Sequence, residues 1–122
     1  MDRKKDRRQE ELSHQAESAK KIAPLKPTAD HTIERLRHSR LWWIFPNQCV
    51  FRNIGGADGK RILDFGCGTG EISTELGIMG ASVTGIDISP DLIEVAERRA
   101  SLNRVGGRVK FIVHDIEEAP LA

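Results

Sequence analysis

From Lys60 onward, short apolar runs alternate with longer stretches in which apolar residues recur at helical spacing. This alternation predicts three β-strands, over residues 61–65, 82–86 and 109–113, separated by two α-helices. Because a helical crossover joins strands that run in the same direction, the sheet is predicted to be parallel. The second half of the chain therefore belongs to the α/β class.

The first part of the chain lacks this alternation. Residues 1–29 carry many charges of both signs and few large aliphatic side chains, which predicts a solvated tail, disordered or loosely helical. Pro24 and Pro27 end that segment. Residues 30–58 are predicted to form an N-terminal helical segment with a final turn, and the α/β domain is expected to occupy residues 59–122.

Composition and charge exclude several classes of protein. The 122 residues are 39% hydrophobic and 30% charged, which is ordinary for a soluble globular chain. No run approaches the ~20 apolar residues that span a bilayer, and the charged N-terminus is unlike a secretory signal. The net charge of +1 gives no overall attraction to nucleic acid or to an anionic membrane. With two cysteines and no leader, a cytoplasmic protein with reduced thiols is expected.

Three glycines follow the first predicted strand, in the string Gly66-Cys67-Gly68-Thr69-Gly70. At the start of the next helix the backbone N–H groups are unpaired and the helix dipole is positive, which suits the polar end of a ligand. Glycine allows the backbone to turn sharply and to approach a ligand without a Cβ in the way. The alternative is a tight connection that binds nothing, but the position between strand and helix favours a ligand.

Asp87 ends the second predicted strand, about 20 positions after the first glycine of that loop, the spacing expected of an acid that binds ribose. Its two carboxylate oxygens suit two vicinal hydroxyl groups. The alternative is an aspartate that begins a turn before Ser89-Pro90. A dinucleotide fingerprint needs a third glycine at position 71, where this chain has Glu71, so a dinucleotide-dependent oxidoreductase is disfavoured.

The string from Ile62 to Gly70 resembles the first motif of class I S-adenosylmethionine-dependent methyltransferases, an acidic residue two places before G-x-G-x-G. The strings 83–89 and 109–115 resemble the second and third motifs of that family, and together the three cover about residues 60–119. The resemblance implies S-adenosyl-L-methionine as cofactor. It also implies a Rossmann-like three-layer fold, truncated here to three parallel strands in the order 3-2-1 with flanking helices and the N-terminal helical extension.

The resemblance assigns each part of the cofactor to residues of the three motifs. The glycine loop would line the methionine and ribose end, carboxylates would accept hydrogen bonds from amino and hydroxyl groups, and isoleucines would pack beside the adenine. The residues so implied are Asp64 for the methionyl amino group; Gly66, Cys67, Gly68 and Gly70 for the methionine and ribose; Asp87 for the ribose hydroxyls; Ile88 and Ile116 for the adenine ring; and Asp115 for the adenine amino group.

Other chemical candidates are weaker. Cys67 could act as a nucleophile, but no histidine accompanies it in the sequence. The four histidines have no metal-ligand spacing with the cysteines, so no metal site is predicted, and His38 as a general base has little support. Trp42 and Trp43 stand beside several arginines and could form a lid over a substrate, although simple packing is favoured.

A complete domain of the resembled family has a seven-stranded sheet in which the first strand lies between the second and a fourth. This chain ends before a fourth strand, so its length predicts a partial chain that carries the cofactor-binding half. The first strand would then be an open sheet edge, able to pair with another chain. The fourth motif, which often orients the methyl acceptor, would be missing, and the catalytic residues are therefore unknown.

Two functions from different classes follow. The first is methyl transfer to an acceptor, with a small molecule favoured and nucleic acid or protein left open. The second is a non-catalytic module that binds S-adenosylmethionine or another nucleotide. No membrane partner is expected.

Overall fold

The computed structural model describes residues 2–30, 32–34 and 46–121. Its strands coincide with the predicted ones, except that the second strand continues one residue further, to Asp87. A short helix, Pro46–Ile54, lies within the segment 30–58 that was predicted to be helical. The elements, in chain order, are α1 (Arg3–Lys20), α2 (Pro46–Ile54), β1 (Arg61–Phe65), α3 (Glu71–Ile78), β2 (Ser82–Asp87), α4 (Pro90–Leu102) and β3 (Val109–Val113).

The three strands form one parallel sheet in the order β1-β2-β3. The predicted order 3-2-1 is thereby confirmed. Phe65 lies beside Ile86, and Ile86 lies beside Ile112, so the three strands end at nearly the same level. Every loop that leaves a carboxyl end of a strand therefore begins at the same edge of the sheet, which is where ligands bind in open α/β sheets.

Helices α3 and α4 cover one face of the sheet and enclose the core. Leu76, Val83 and Val109 are at most 3% exposed and belong to a single apolar cluster. Gly77 of α3 lies so close to the Val109 side chain that a Cβ on this glycine would overlap it. Val83 and Val109 are paired across β2 and β3 and point to the same face, and the helices that pack on this face bury both of them.

The boundaries of α4 follow from capping chemistry. Ser89 precedes the helix, and its Oγ accepts a hydrogen bond from the backbone N–H of Leu92 at 3.3 Å. Pro90 occupies the first turn, where its missing N–H costs nothing. A serine cap followed by a first-turn proline is a local sequence signal for a helix start at this point. It also fixes the direction in which the chain leaves Asp87.

The N-terminal segment is more regular than the sequence indicated. Residues 3–20 form the 18-residue helix α1, and Asp2 caps it by accepting from the backbone N–H of Lys4 at 3.1 Å. No residue of α1 is buried, in keeping with the expected solvated segment. The helix packs against α4, and the chain after it is attached by a 2.7 Å hydrogen bond from the Thr28 N–H to Asn103 Oδ1.

The second face of the sheet exposes apolar side chains on β1 and β3 in the part of the chain that the structure describes. Leu63 and Phe65 of β1 are 55% and 56% exposed, and Ile112 of β3 is 44% exposed. Among the described residues, β1 pairs only with β2. The open edge expected at the first strand is therefore seen, while its use for pairing with another chain stays a prediction. No described helix is both long and apolar enough to cross a membrane.

Candidate functional site

A cavity of about 830 Å³ lies at the carboxyl edge of the sheet. The ends of all three strands contribute to it, and α1 supplies the facing wall. Five of the nine predicted cofactor-binding residues line it, together with the residue that precedes the glycine loop. These lining residues are Gly66, Asp87, Ile88, Asp115 and Ile116, with Phe65 before the loop.

The loop between β1 and α3 is held open by its glycines. Gly66 and Gly68 have φ values of +71° and +54°, which L side chains rarely adopt, and a Cβ on either would meet nothing within 4 Å. The backbone N–H groups of Gly66 and Cys67 both donate to the Ile86 carbonyl, at 2.8 and 2.9 Å. The loop is therefore fastened to β2 and leaves free space beside two of its glycines, as a ligand cradle requires.

Asp87 is the acid that organises this loop. Asp87 is only 9% exposed. Its Oδ2 accepts a hydrogen bond from the Gly68 N–H at 2.9 Å, and its Oδ1 accepts one from the Ser89 N–H at 3.0 Å. The two bonds join the loop after β1 to the loop after β2. A carboxylate has about four lone-pair sites, so two remain for hydroxyl donors. The turn-starting and ligand-binding interpretations of Asp87 are thus compatible.

Asp115 is fixed in a comparable way after β3. Oδ1 accepts from the Glu117 N–H at 2.9 Å, and Oδ2 pairs with Arg8 Nε at 2.8 Å. Ile116, next to it, is 47% exposed and lines the cavity. Ile88 lies on the neighbouring loop and lines the same cavity. A carboxylate and two apolar side chains therefore meet at the end of the cavity near β3.

Asp64 is directed toward α3. Its Oδ2 accepts a hydrogen bond from the Ser73 hydroxyl at 2.6 Å, and the residue is half-buried. It is not among the residues that line the cavity. Sequence reasoning missed Ser73, which stands three places after the last glycine of the loop; a hydroxyl in the first turn of the following helix is the signal that could have found it.

Gly70 serves packing. It precedes α3 with φ +72°, and a Cβ there would lie 2.7 Å from Ala96 Cβ and 2.8 Å from the Phe111 ring. The resemblance implies that Gly70 lines the cofactor; Gly70 is not among the residues that line the cavity, and its cofactor role stays a prediction. Glycine is required at position 70 because the helix start and the sheet approach each other closely there.

Cys67 has none of the features of a reactive thiol. Its pKa is raised from 9.0 to about 12, first by burial and then by the negative charges of Asp64 and Asp87. The thiol is therefore protonated at neutral pH, and only a thiolate attacks as a nucleophile. The helix after the loop begins at Glu71, four residues beyond Cys67, so its dipole does not offset these effects.

Two further groups near the site escaped sequence reasoning. Arg8 of α1 binds the loop after β3, and Arg99 of α4 donates from Nε to the Thr69 carbonyl at 2.9 Å, which supports the glycine loop from behind. Neither is adjacent in sequence to its partner, so no local pattern announces them. His38, Trp42 and Trp43, which were considered for a base or a lid, lie outside the described residues. Within 2–30, 32–34 and 46–121, no group of His, Cys, Asp and Glu is placed to hold a metal ion.

Comparison with known families decides the assignment of this domain. Residues 57–122, more than half of the chain, match a family model described as a methyltransferase domain. The chain belongs to this methyltransferase-domain family. The match begins just before β1 and includes the glycine loop, Asp87 and Asp115, so the motif resemblance and the Rossmann-like fold are confirmed together.

Curated relatives of this methyltransferase domain are longer than the chain. It is 47% identical over 73 residues to a protein named mitochondrial ubiquinone biosynthesis O-methyltransferase from Schizosaccharomyces pombe, covering 59% of this chain and 27% of that protein. It is 43% identical over 63 residues to magnesium-protoporphyrin O-methyltransferase from Rhodobacter capsulatus, covering 52% and 28%. The chain thus spans little more than a quarter of the length of these relatives.

Solved structures include similar folds. One is a SAM-dependent methyltransferase from Geobacter sulfurreducens in complex with S-adenosyl-L-homocysteine. It is 28% identical, with a TM-score of 0.54, and the match covers 86% of this chain and 36% of that one. Because the match extends over 86% of this chain, it reaches well beyond the 66 residues of the family-model match.

Proposed function

We propose that this chain binds S-adenosyl-L-methionine and forms the cofactor-binding part of a methyltransferase that acts on a small molecule. The observation that carries the proposal is Asp87, which is nearly buried, holds the Gly68 N–H and keeps two lone-pair sites at the edge of the cavity. Membership of the methyltransferase-domain family supports it. We also propose the division predicted from sequence, with a charged segment at 1–29, a helical segment at 30–58 and the methyltransferase domain from 59.

The described residues fit this cofactor. The cavity of about 830 Å³ is within the ~300–1,000 Å³ of small-molecule sites, and its polar groups are few and convergent. Asp87 has acceptor capacity for the ribose hydroxyls, and Asp115 has it for the adenine amino group, with Ile88 and Ile116 as apolar neighbours. The free space beside Gly66 and Gly68 suits the methionine portion.

When bound, S-adenosyl-L-methionine supplies a methyl group on a sulfonium centre. The chain's own residues orient it: Asp87 and Asp115 bind it from two neighbouring loops, and their own hydrogen bonds fix both carboxylates before the ligand arrives. Such preorganisation reduces the entropy lost on binding. Asp64, already bound to the Ser73 hydroxyl, would reach the methionyl amino group directly or through water.

The names of the relatives support a class of acceptor. Both curated relatives are named O-methyltransferases, one of ubiquinone biosynthesis and one of magnesium protoporphyrin. We therefore propose an oxygen atom of a small organic molecule as the methyl acceptor. A cytoplasmic location remains a prediction from sequence, since the relative from Schizosaccharomyces pombe is named as mitochondrial.

The proposal is tested with the variant Asp87→Ala and the matched control Asp91→Ala, an exposed aspartate in the first turn of α4. Binding of radiolabelled S-adenosylmethionine is measured by equilibrium dialysis. We expect Asp87→Ala to lose at least about tenfold in affinity, since hydrogen bonds to a charged group contribute about 1.5–3 kcal/mol. Asp91→Ala should bind as the wild type does.

Folding and catalysis need separate readouts. Asp87→Asn retains one acceptor oxygen, and circular dichroism of both variants reports whether the sheet is intact. Methyl transfer is measured as radiolabel incorporated into the small-molecule fraction of a cell extract. If Asp87→Ala binds as tightly as the wild type, the assignment of the site is refuted. If the chain binds but no methyl transfer occurs, even with a version extended to the full domain, the non-catalytic module is favoured.

A further inference from the structure

Helix α1 forms the wall of the cavity opposite the strand ends. Six residues spaced along one side of this helix line the same cavity as Asp87 and Asp115. Among them, Gln15 has a side-chain oxygen that is buried and has no hydrogen-bond partner in the described part of the chain. A helix that the sequence identifies as a solvated segment thus carries polar groups directed at the candidate cofactor site.

Arg8 is the residue that connects α1 to the site. Its Nε pairs with Asp115 Oδ2 at 2.8 Å, and its terminal nitrogens reach Glu118 at 2.7 Å and Glu117 at 3.3 Å. Lys4, one turn earlier, pairs with Glu117 at 3.1 Å. Three carboxylates that follow β3 are therefore held by one guanidinium that comes more than a hundred positions earlier in the chain.

The pair between Arg8 and Asp115 is more protected than the others. The side chains of Arg8 and Asp115 are 25% and 17% exposed, whereas those of Glu117 and Glu118 are more than half exposed. Ion pairs between exposed side chains contribute little, and partial burial strengthens the attraction because water screens it less. The contact that matters is therefore the one made to the acid expected to bind the adenine amino group.

We propose that Arg8 is a positioning residue of the cofactor site, which acts through Asp115 on the adenine end of the ligand. This inference rests on the proposed function. The guanidinium fixes the orientation of the Asp115 carboxylate through Oδ2, while the Glu117 N–H occupies one site on the other oxygen. Two lone-pair sites remain, so the amino group of adenine can bind without displacing Arg8.

The opposite arrangement would have Arg8 compete with the ligand for Asp115. The two arrangements predict opposite changes in ligand affinity when Arg8 is removed. Loss of a competitor tightens binding, whereas loss of a positioning group weakens it. The remaining acceptor sites on Asp115 argue for positioning. With Arg8 absent, the carboxylate loses one of its two contacts, and the exposed Lys4–Glu117 pair still joins α1 to the loop after β3.

The test uses the full chain and S-adenosylhomocysteine, titrated by isothermal calorimetry. We expect Arg8→Ala to weaken binding by about fivefold, an effect intermediate between those of an exposed and a buried ion pair. The affinity of Arg8→Lys should lie between those of the wild type and Arg8→Ala. Lys5→Ala is the matched control: it removes one positive charge from an exposed position of α1 that does not line the cavity. It should bind as the wild type does.

A second ligand separates positioning from general stability. S-inosylhomocysteine carries an oxygen where adenine has its amino group, so it lacks the group that would donate a hydrogen bond to Asp115. Arg8→Ala should leave its affinity unchanged, and in an Asp115→Asn background the Arg8 effect on S-adenosylhomocysteine should disappear. Circular dichroism confirms that each variant retains its helices.

Three outcomes overturn the inference while the proposed function survives: affinity unchanged in Arg8→Ala, affinity increased, or equal losses for both ligands. Failure of the wild-type chain to bind S-adenosylhomocysteine would overturn the proposed function itself and Arg8 positioning with it. The two failures are therefore distinguishable by the wild-type titration alone.

Discussion

Asp87 has a structural role in addition to the one proposed for a ligand. Its two oxygens fasten the glycine loop and the start of α4 to the end of β2. The sequence could predict the residue type and its position, because a carboxylate at a strand end about 20 residues after a glycine loop is a chemical pattern. It could not predict that backbone N–H groups already occupy half of the carboxylate's acceptor sites, since those contacts depend on how two loops meet.

Glu75 makes stability depend on pH. It is a 5% exposed residue of α3 whose pKa is raised from 4.5 to about 7, first by burial and then by the charge of Glu71, with Arg99 acting in the opposite direction. Between pH 4.5 and 7 the folded chain retains a proton that the unfolded chain has lost. The free energy of unfolding therefore falls as pH rises through this window, by up to about 3 kcal/mol.

The variant Glu75→Gln should remove this pH dependence, because the amide resembles the protonated acid. We expect the variant to be more stable than the wild type at pH 8 and equally stable at pH 4.5, measured by urea unfolding at both values. Glu94→Gln, at an exposed position of α4, is the control. An equal difference between Glu75→Gln and the wild type at the two pH values would contradict the burial explanation.

At the scale of elements, the close approach of α3 to the sheet depends on a glycine. Alanine is the better helix former by about 1 kcal/mol, so Gly77→Ala would stabilise an isolated helix. In the fold, the added methyl group would overlap the Val109 side chain. We expect a net loss of about 1–3 kcal/mol in the free energy of unfolding, as for other overpacked cores.

Urea unfolding at constant pH measures this effect, and Gly106→Ala is the control. A Cβ at Gly106 would meet nothing within 4 Å, and its φ is not positive, so the change should be close to zero. If Gly77→Ala proved as stable as the wild type, α3 would have room to move away from β3. That result would argue against the tight packing beneath the glycine loop.

The elements themselves were largely predictable. All three strands and the start of α4 follow from apolar periodicity and the Ser89-Pro90 cap, which are local signals. Helix α1 was predicted less well, because its residues bury little surface and its charges resemble those of a disordered segment. Its N-cap at Asp2 is a local signal, but the ion pairs of Arg8 with the loop after β3 are not.

At the scale of the whole molecule, the parallel sheet brings distant residues together at one edge. Gly66, Asp87 and Asp115 come from three separate loops, and the strand order places these loops side by side around one cavity. This convergence was predictable from topology, since carboxyl ends of parallel strands meet at one edge. The contribution of α1 was not, because nothing local in the sequence specifies how a helix packs against the finished domain.

The proposal that this edge binds the cofactor is tested most directly by nuclear magnetic resonance of the ¹⁵N-labelled full chain titrated with S-adenosylhomocysteine. We expect saturable shifts at the backbone amides of Gly66, Gly68 and Ser89 and at the amides around Ile116. Amides at the opposite edge of the sheet, such as those of Gly59 and Gly107, should be unaffected. Unchanged spectra at saturating ligand, or shifts confined to that opposite edge, would contradict the assignment of the site.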